Sequence, residues 1–229
     1  MNPCQLHSLP YRADPAHYFA AVRRAPGAVL LDAGRPQAER GRFDLLSAWP
    51  LQRYSPADGE TAEAFLQRLR EGLAQLGQAQ LPAGNELPFA GGLIGYLSYD
   101  FGRRIEQLPS QAVDDLGLAQ ASFGLYAWAL ISDHQQQTSQ LLFHPSLAAA
   151  ERQRLVQLFE APETTPGNGF RLQQPFRADL SEDAYRQAIA RIQAYIQAGD
   201  CYQVNFAQRF QASCSGDAWG AYLALRQAC

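Results

Sequence analysis

Two apolar runs separated by a short polar stretch are the feature that most constrains the fold. Residues 123–132 are FGLYAWALIS, residues 139–144 are SQLLFH, and DHQQQT lies between them. Apolar runs of strand length joined by a few polar residues predict a β-hairpin, whose strands are antiparallel. The pattern therefore favours an antiparallel sheet over a parallel, doubly wound one.

Helices and other strands surround this hairpin without a regular order. Helices are predicted at residues 16–24, 61–76 and 147–159, and strands at 28–31, 42–49 and 93–99. The best-defined helix carries Phe65, Leu69 and Leu73 at helical spacing and is followed by Gly77, a typical helix stop. The predicted fold class is α+β, with a mixed, largely antiparallel sheet and packed helices.

A stretch rich in proline, threonine and glycine divides the sequence. Residues 161–170 are APETTPGNGF, a composition typical of a connection between domains. We predict an N-terminal domain over residues 1–160, a linker over 161–178 and the beginning of a second, incomplete domain over 179–229.

The predicted second domain opens with a helix followed by a strand. Ser181 is expected to cap the helix, and Gly199 to end it with a positive φ. Residues 201–210 are CYQVNFAQRF, in which apolar and polar side chains alternate. That alternation predicts a half-buried strand.

Charge and cysteine content argue against several classes of function. The net charge is -3 and the pI about 5.8, so no broad positive field is available for nucleic acid. The sequence has neither a long apolar span nor a signal-peptide pattern at its start, so we expect no membrane partner and a cytoplasmic location. The four cysteines lack the CxxC spacing, which disfavours a disulfide framework or a zinc site.

The residues do not form a recognisable catalytic motif. The glycine-rich run at 87–100, LPFAGGLIGYLSYD, lacks both GxGxxG and GxxxxGK[ST], so close strand packing or a bulge is predicted for it. His134 lies in the predicted hairpin turn and is interpreted as a solvated side chain. We predict no catalytic and no metal-binding residue in this chain.

Two long segments resemble one enzyme family. Residues 91–109, GGLIGYLSYDFGRRIEQLP, resemble part of the N-terminal domain of chorismate-utilising synthases, the anthranilate synthase component I family. Residues 196–210, IQAGDCYQVNFAQRF, resemble the helix, turn and strand that open the chorismate-binding domain of that family. The resemblance implies an N-terminal domain of this type followed by the start of a truncated chorismate-binding domain.

Within the family, the sequence resembles the aminodeoxychorismate-forming branch. Residues 99–109, YDFGRRIEQLP, are similar to that branch, and residues 30–34 are LLDAG where anthranilate synthases usually carry LLES. This implies an enzyme of folate synthesis that replaces the 4-hydroxyl group of chorismate with an amino group. Ammonia would come from a glutamine amidotransferase subunit, and Mg²⁺ would bind the substrate carboxylate. An anthranilate synthase fragment and a non-catalytic tryptophan-binding or scaffold module remain alternatives.

The sequence contains no lysine, since all 19 basic residues are arginine. The resemblance implies that a lysine in the C-terminal part of the enzyme attacks the ring and that glutamates there hold the metal. Arginine cannot replace that lysine because it stays protonated. We therefore expect an incomplete chain, inactive by itself and without a bound cofactor, with Mg²⁺ belonging to the full-length enzyme.

The resemblance also implies a tryptophan site in the N-terminal domain, between the loop after one strand and the start of the next. The matching positions are Ala33, Arg40, Gly41, Arg42 and Phe43. Only the Arg42–Phe43 pair keeps the side-chain chemistry of the family, and the expected serine and tyrosine are absent. Ordinary packing is the alternative role of Phe43.

Overall fold

A computed structural model describes residues 3–34, 41–109, 113–161 and 169–228. The chain divides into two compact units, Met1–Thr165 (unit 1) and Pro166–Cys229 (unit 2). The helices of unit 1 are α1 (Ala16–Phe19), α2 (Ala62–Leu76), a 3-10 helix (Tyr99–Arg104) and α3 (Ala149–Glu160). Its strands are β1 (Gln5–Leu9), β2 (Val29–Leu31), β3 (Phe43–Ser47), β4 (Gln52–Tyr54), β5 (Gly92–Leu97), β6 (Ala121–Tyr126), β7 (Trp128–Asp133) and β8 (Thr138–Phe143).

Five strands of unit 1 form one antiparallel sheet in the order β1-β8-β7-β3-β2. The predicted hairpin is β7 and β8, in which Trp128 pairs with Phe143 and Asp133 with Thr138. Every residue of β7 is buried, as expected for a strand covered on both faces. The predicted α+β class and the antiparallel sheet are confirmed.

The apolar run at 123–132 belongs to two strands, so its prediction as a single strand was wrong. β6 pairs with β4 and β5 in a separate three-stranded sheet, whereas β7 pairs with β3 and β8. Ala127, 2% exposed, is the residue between them. A continuous apolar run shows that a segment is buried but does not show where it changes its partner strands.

Helix α2 packs on the three-stranded sheet. Phe65 and Leu69 are buried in one cluster with Leu125 of β6. The Thr61 hydroxyl accepts a hydrogen bond from the Ala64 N–H at 3.2 Å, and Gly77 follows the last turn, so both predicted ends are confirmed.

The five-stranded sheet is covered by helices on one side. Tyr18 of α1 and Phe159 of α3 meet with ring centroids 6.1 Å apart, and Phe159 lies 5.7 Å from the Trp128 ring. Helix α1 ends at Phe19, earlier than predicted. Turns replace it because Ala21 and Val22 donate to carbonyls three residues back rather than four.

Unit 2 consists of short elements around one long helix. Its strands are β9 (Arg171–Leu172), β10 (Arg177–Ala178), β11 (Phe210–Gln211) and β12 (Cys214–Ser215), and its helices are α4 (Glu182–Ala198) and α5 (Ala218–Ala228). Ser181 caps α4 through a 3.2 Å hydrogen bond from the Ala184 N–H, and Gly199 ends it at φ 81°, as predicted. β9 and β10 lie inside the predicted linker; the limits of the predicted domains stay a prediction.

The predicted strand at 201–210 was wrong. Among these residues only Phe210 lies in a strand, where β11 pairs with β10. Tyr202 is fully exposed at 100%. Alternating side chains do not make a strand unless a neighbouring strand pairs with them. Apart from the Asp179 N–H, which donates to the Arg209 carbonyl at 2.9 Å, no described segment pairs with 201–209.

None of the described residues of unit 2 is buried. The apolar side chains of α4 at Tyr185, Ile189 and Ile192 are only partly covered, and Tyr195 is 49% exposed. A helix normally owes most of its stability to a buried apolar face. In the described ranges of both units, no helix is long and apolar enough to cross a bilayer.

Candidate functional site at the polar end of the five-stranded sheet

The pairing of β2 with β3 brings together most of the residues proposed to form the tryptophan site. Leu31 pairs with Leu45, so the chain leaving β2 and the chain entering β3 lie side by side. A Cβ added to Gly41 would lie 2.9 Å from the Ala33 Cβ, and Gly41 has φ 93°, so a larger residue is disfavoured there twice over. Arg40 lies outside the described residues.

Arg42 is held by two acidic side chains. Its Nε and Nη2 donate to Asp133 Oδ2 at 3.0 and 2.9 Å, and Nη2 also donates to Glu86 Oε2 at 3.2 Å. Burial raises the pKa of the Asp133 carboxyl, but the Arg42 hydrogen bonds and the N–H groups of Gln136 and Gln135 outweigh it and lower that pKa below its usual value. Arg42 therefore fixes the hairpin turn to the start of β3.

Phe43 is partly buried against the core. It packs on the apolar cluster that includes Leu45 and Ile131, and the Arg42 guanidinium carbon lies 4.6 Å from its ring centroid. Both contacts agree with ordinary packing, the alternative role predicted for Phe43.

Next to these residues lies a buried chain of hydrogen bonds that the sequence analysis missed. Asp44 Oδ1 accepts the Ala33 N–H at 2.6 Å, and Asp44 Oδ2 lies 2.7 Å from His134 Nε2. The Tyr11 hydroxyl lies 2.9 Å from His134 Nδ1. All groups are satisfied if Nε2–H donates to Asp44 and the Tyr11 hydroxyl donates to Nδ1.

His134 is buried, so its interpretation as a solvated turn residue was wrong. Its side chain is 2% exposed and that of Asp44 3%. Burial raises the pKa of Asp44, and the Ala33 N–H and His134 oppose that rise. The signal that could have revealed the pair is an acidic residue inside the apolar strand RFDLLSAW, because a buried carboxylate requires a partner.

The cavity beside Arg42 is small and polar. It measures about 40 Å³ and is bordered by Arg42, Glu86, Asp133 and Gln140 among others. This volume suits a few water molecules rather than an amino acid. Tryptophan binding by Ala33, Gly41, Arg42 and Phe43 stays a prediction.

The polar groups at this end of the sheet hold backbone and side chains in place through hydrogen bonds. Oriented donors and acceptors anchor the backbone at Ala33 and tie the hairpin turn to β3. The described residues contain no group of three or more His, Cys, Asp or Glu side chains placed to hold a metal ion.

Comparison with known sequences identifies the family. The sequence pattern described as chorismate binding enzyme matches residues 27–229. The chain belongs to this family. The resemblance seen in residues 91–109 and 196–210 is therefore confirmed.

The relatives of this chain include proteins of two names. Aminodeoxychorismate synthase component 1 of Salmonella typhimurium is 40% identical over 96% of this chain and 50% of its own length. The Escherichia coli protein of the same name is 36% identical over the same shares. Anthranilate synthase component 1 of Thermus thermophilus is 31% identical over 91% of this chain and 47% of its own length. The chain thus spans about half the length of the curated relatives it matches.

A solved structure supports the fold of the family in this chain. Anthranilate synthase component I from Streptococcus pneumoniae superposes with a TM-score of 0.63 and 22% identity. The match covers 87% of this chain and 47% of that protein. At this identity the likeness establishes the fold and not the reaction.

Proposed function

We propose that this chain is the N-terminal half of an aminodeoxychorismate synthase component 1. In the proposed reaction, chorismate loses its 4-hydroxyl group and gains an amino group from ammonia, which a glutamine amidotransferase subunit supplies. The observation that carries the proposal is the 36–40% identity to two proteins of that name over 96% of the chain. The YDFGRR sequence of the 3-10 helix supports the same branch.

Anthranilate synthase is the second candidate. The Thermus thermophilus relative of that name is 31% identical, and the solved neighbour has the same name. Against it stand the higher identities to the Salmonella typhimurium and Escherichia coli proteins, 40% and 36%, and the sequence LLDAG at residues 30–34.

Under this proposal, catalysis requires residues that this chain does not contain. The family resemblance implies a lysine nucleophile, and the sequence has no lysine. It also implies Mg²⁺, but the described residues offer no cluster of three ligands for it. The contribution proposed for this half is folding and positioning.

The test joins this chain to the C-terminal half of the Salmonella typhimurium relative. Incubated with chorismate, ammonium and Mg²⁺, the chimera should form 4-amino-4-deoxychorismate, separated and measured by liquid chromatography with mass detection. A second chimera with the C-terminal half of the Thermus thermophilus relative tests the other candidate: faster formation of anthranilate by that chimera than of 4-amino-4-deoxychorismate by the first would favour the second candidate.

Two controls make the result interpretable. The C-terminal half alone and this chain alone should each form no product above background. A chimera that is folded by circular dichroism yet forms neither product would contradict the proposal, and turnover by this chain alone would remove the requirement for a lysine.

A further inference from the structure

His144 lies where the two sheets of unit 1 meet. It directly follows β8 of the five-stranded sheet, and its backbone N–H donates to the carbonyl of Ala127, the residue between β6 and β7, at 2.8 Å. A Cβ added to Gly91, just before β5, would lie 2.9 Å from the imidazole Cδ2. The ring is therefore packed against the backbone that leads into the three-stranded sheet.

The hydrogen bonds of the turn after β8 define the protonation state of this ring. The Ser146 N–H donates to His144 Nδ1 at 3.1 Å, and the Ser146 hydroxyl oxygen lies 2.7 Å from the same nitrogen. A ring nitrogen that accepts a backbone N–H carries no proton, so the neutral ring has its proton on Nε2. The Leu147 N–H closes the turn by donating to the His144 carbonyl at 3.0 Å.

The Nε2 side of the ring is buried and unsatisfied. His144 is 3% exposed, and its Nε2 has no hydrogen-bond partner among the described residues. Burial lowers the pKa of His144 below its usual value, and the Gly77 carbonyl opposes this effect without cancelling it. Buried polar groups without a partner are uncommon, so this one requires a physical explanation.

No charged side chain of the described residues contributes to the pKa of His144. The β1–β8 register, continued by one residue, places Cys4 opposite His144, and the Cys4 thiol donates to the Ala90 carbonyl at 3.5 Å. Burial raises the pKa of Cys4, so this thiol stays uncharged at neutral and acidic pH. The other segments that contact His144 contribute residues without an ionisable side chain, namely Gly77, Gly91, Ala127 and Ser146.

We propose that His144 is an acid-sensitive switch between the two sheets of unit 1: the neutral ring holds the turn at Ser146, and the protonated ring releases it. Protonation adds a hydrogen to Nδ1, directly against the Ser146 N–H. The Ser146 hydroxyl can rotate to accept from the imidazolium, but the backbone N–H cannot turn away unless the turn itself changes. A charged ring without a charged partner is also costly to keep buried. The proposal goes beyond the proposed function, because it does not involve the proposed reaction.

The switch should act in mildly acidic solution. Unfolded His144 takes up a proton at an ordinary pKa of about 6.5, whereas folded His144 does so only at lower pH. The stability contributed by the neutral ring is therefore complete above about pH 6.5 and decreases as the pH falls from there to the folded pKa. In that range, the proton bound on unfolding raises the unfolding equilibrium constant by up to about tenfold per pH unit.

The first test follows His144 by nuclear magnetic resonance in the whole chain. Spectra are recorded from about pH 7.5 to about pH 4.5, on either side of the ordinary histidine pKa. The ring nitrogens of His144 should titrate at lower pH in the folded chain than in the chain unfolded by urea. The Ser146 amide should shift with the same midpoint as the folded ring, because its N–H donates to Nδ1.

A variant separates His144 from the other titrating groups. In His144→Asn, the side-chain oxygen keeps an acceptor for the Ser146 N–H but takes up no proton. The unfolding equilibrium constant of this variant, measured with urea, should change up to about tenfold less per pH unit below about pH 6.5 than that of the original chain. His17→Asn is the matched control because His17 is exposed, and it should keep the original pH dependence.

Three outcomes would overturn the proposal. These are folded His144 titrating at the same pH as in the urea-unfolded chain, a Ser146 amide that does not follow His144, or a His144→Asn variant with the full pH dependence of the original chain. The first two outcomes are measured on the unaltered chain, so they decide the proposal even if the variant does not fold.

Discussion

Asp44 is an acidic residue inside a strand whose other side chains are largely apolar. It is tolerated there because His134 and the Ala33 N–H occupy its two oxygens at 2.7 and 2.6 Å. A buried hydrogen bond contributes only modestly to net stability, but loss of one partner leaves the other buried and unsatisfied. The effect of the pair on the free energy of unfolding should therefore be largest when one partner is removed.

We predict that Asp44→Ala lowers the free energy of unfolding of unit 1 by about 2–6 kcal/mol, because the Ala33 N–H and the His134 Nε2–H each lose their acceptor at about 1–3 kcal/mol apiece. Asp44→Asn should cost less, because its side-chain oxygen can still accept the Ala33 N–H. The measurement is urea denaturation followed by tryptophan fluorescence in a Trp219→Phe background, which leaves Trp49 and Trp128 as reporters in unit 1.

Asp58→Ala provides the control for this prediction, because Asp58 is exposed. It should change the free energy of unfolding by less than about 0.5 kcal/mol. Equal effects of Asp44→Ala and Asp58→Ala would show that the buried pair contributes nothing specific.

At this end of the sheet, the sequence predicted residues that lie close together but did not predict the buried Asp44–His134 pair beside them. Ala33, Gly41, Arg42 and Phe43 were chosen through a family resemblance, and strand pairing does bring them together. His134 could not be placed with Asp44 because 90 positions separate them along the chain. Only the antiparallel register of β3 and β7 makes them neighbours.

Strands β5 and β6 approach unusually closely at Gly95. A Cβ added there would lie 2.1 Å from the Ser122 carbonyl oxygen and 2.6 Å from the Phe123 Cα. These are backbone atoms and cannot rotate away, so the two strands would have to separate. This confirms the close strand packing predicted for the glycine-rich run.

We predict that Gly95→Ala destabilises unit 1 by about 1–3 kcal/mol. Gly102→Ala is the comparison, because a Cβ at Gly102 would meet only Leu108 Cδ1 at an ordinary 3.8 Å. It should change stability by less than about 0.5 kcal/mol. Thermal unfolding of both variants measures the difference; a Gly95→Ala protein as stable as Gly102→Ala would exclude the close approach.

Elements with local signals were the easiest to predict from sequence. Helix α2 was predicted from its helical spacing and its terminal glycine, and it lies in its predicted place. The Thr61 cap was not predicted. The strand predicted at 201–210 and the single strand at 123–132 failed for a common reason. Whether an apolar or alternating segment is a strand, and in which sheet, depends on a distant partner that its own residues do not specify.

Unit 2 differs from unit 1 in having no buried residue among those described. Helices α2 and α4 make a matched pair for comparison, with 15 and 17 residues and a side-chain cap at each N-terminus. Helix α2 buries Phe65 and Leu69, whereas α4 buries nothing. Because packing rather than propensity stabilises most helices, α4 should open far more readily.

We predict that amides of α4 exchange with deuterium at least tenfold faster than those of α2, measured by mass spectrometry on the whole chain. The strand β7, buried throughout, should be protected most. Equal protection of α4 and α2 would mean that the apolar face of α4 is covered in solution.

Ala127 joins β6 to β7, and this single residue is all that separates two sheets with different partners. Because one residue connects the two strands, unfolding of either sheet displaces the end of a strand in the other sheet. Heating should consequently melt both in a single cooperative step, so that unit 1 survives or is lost as a whole.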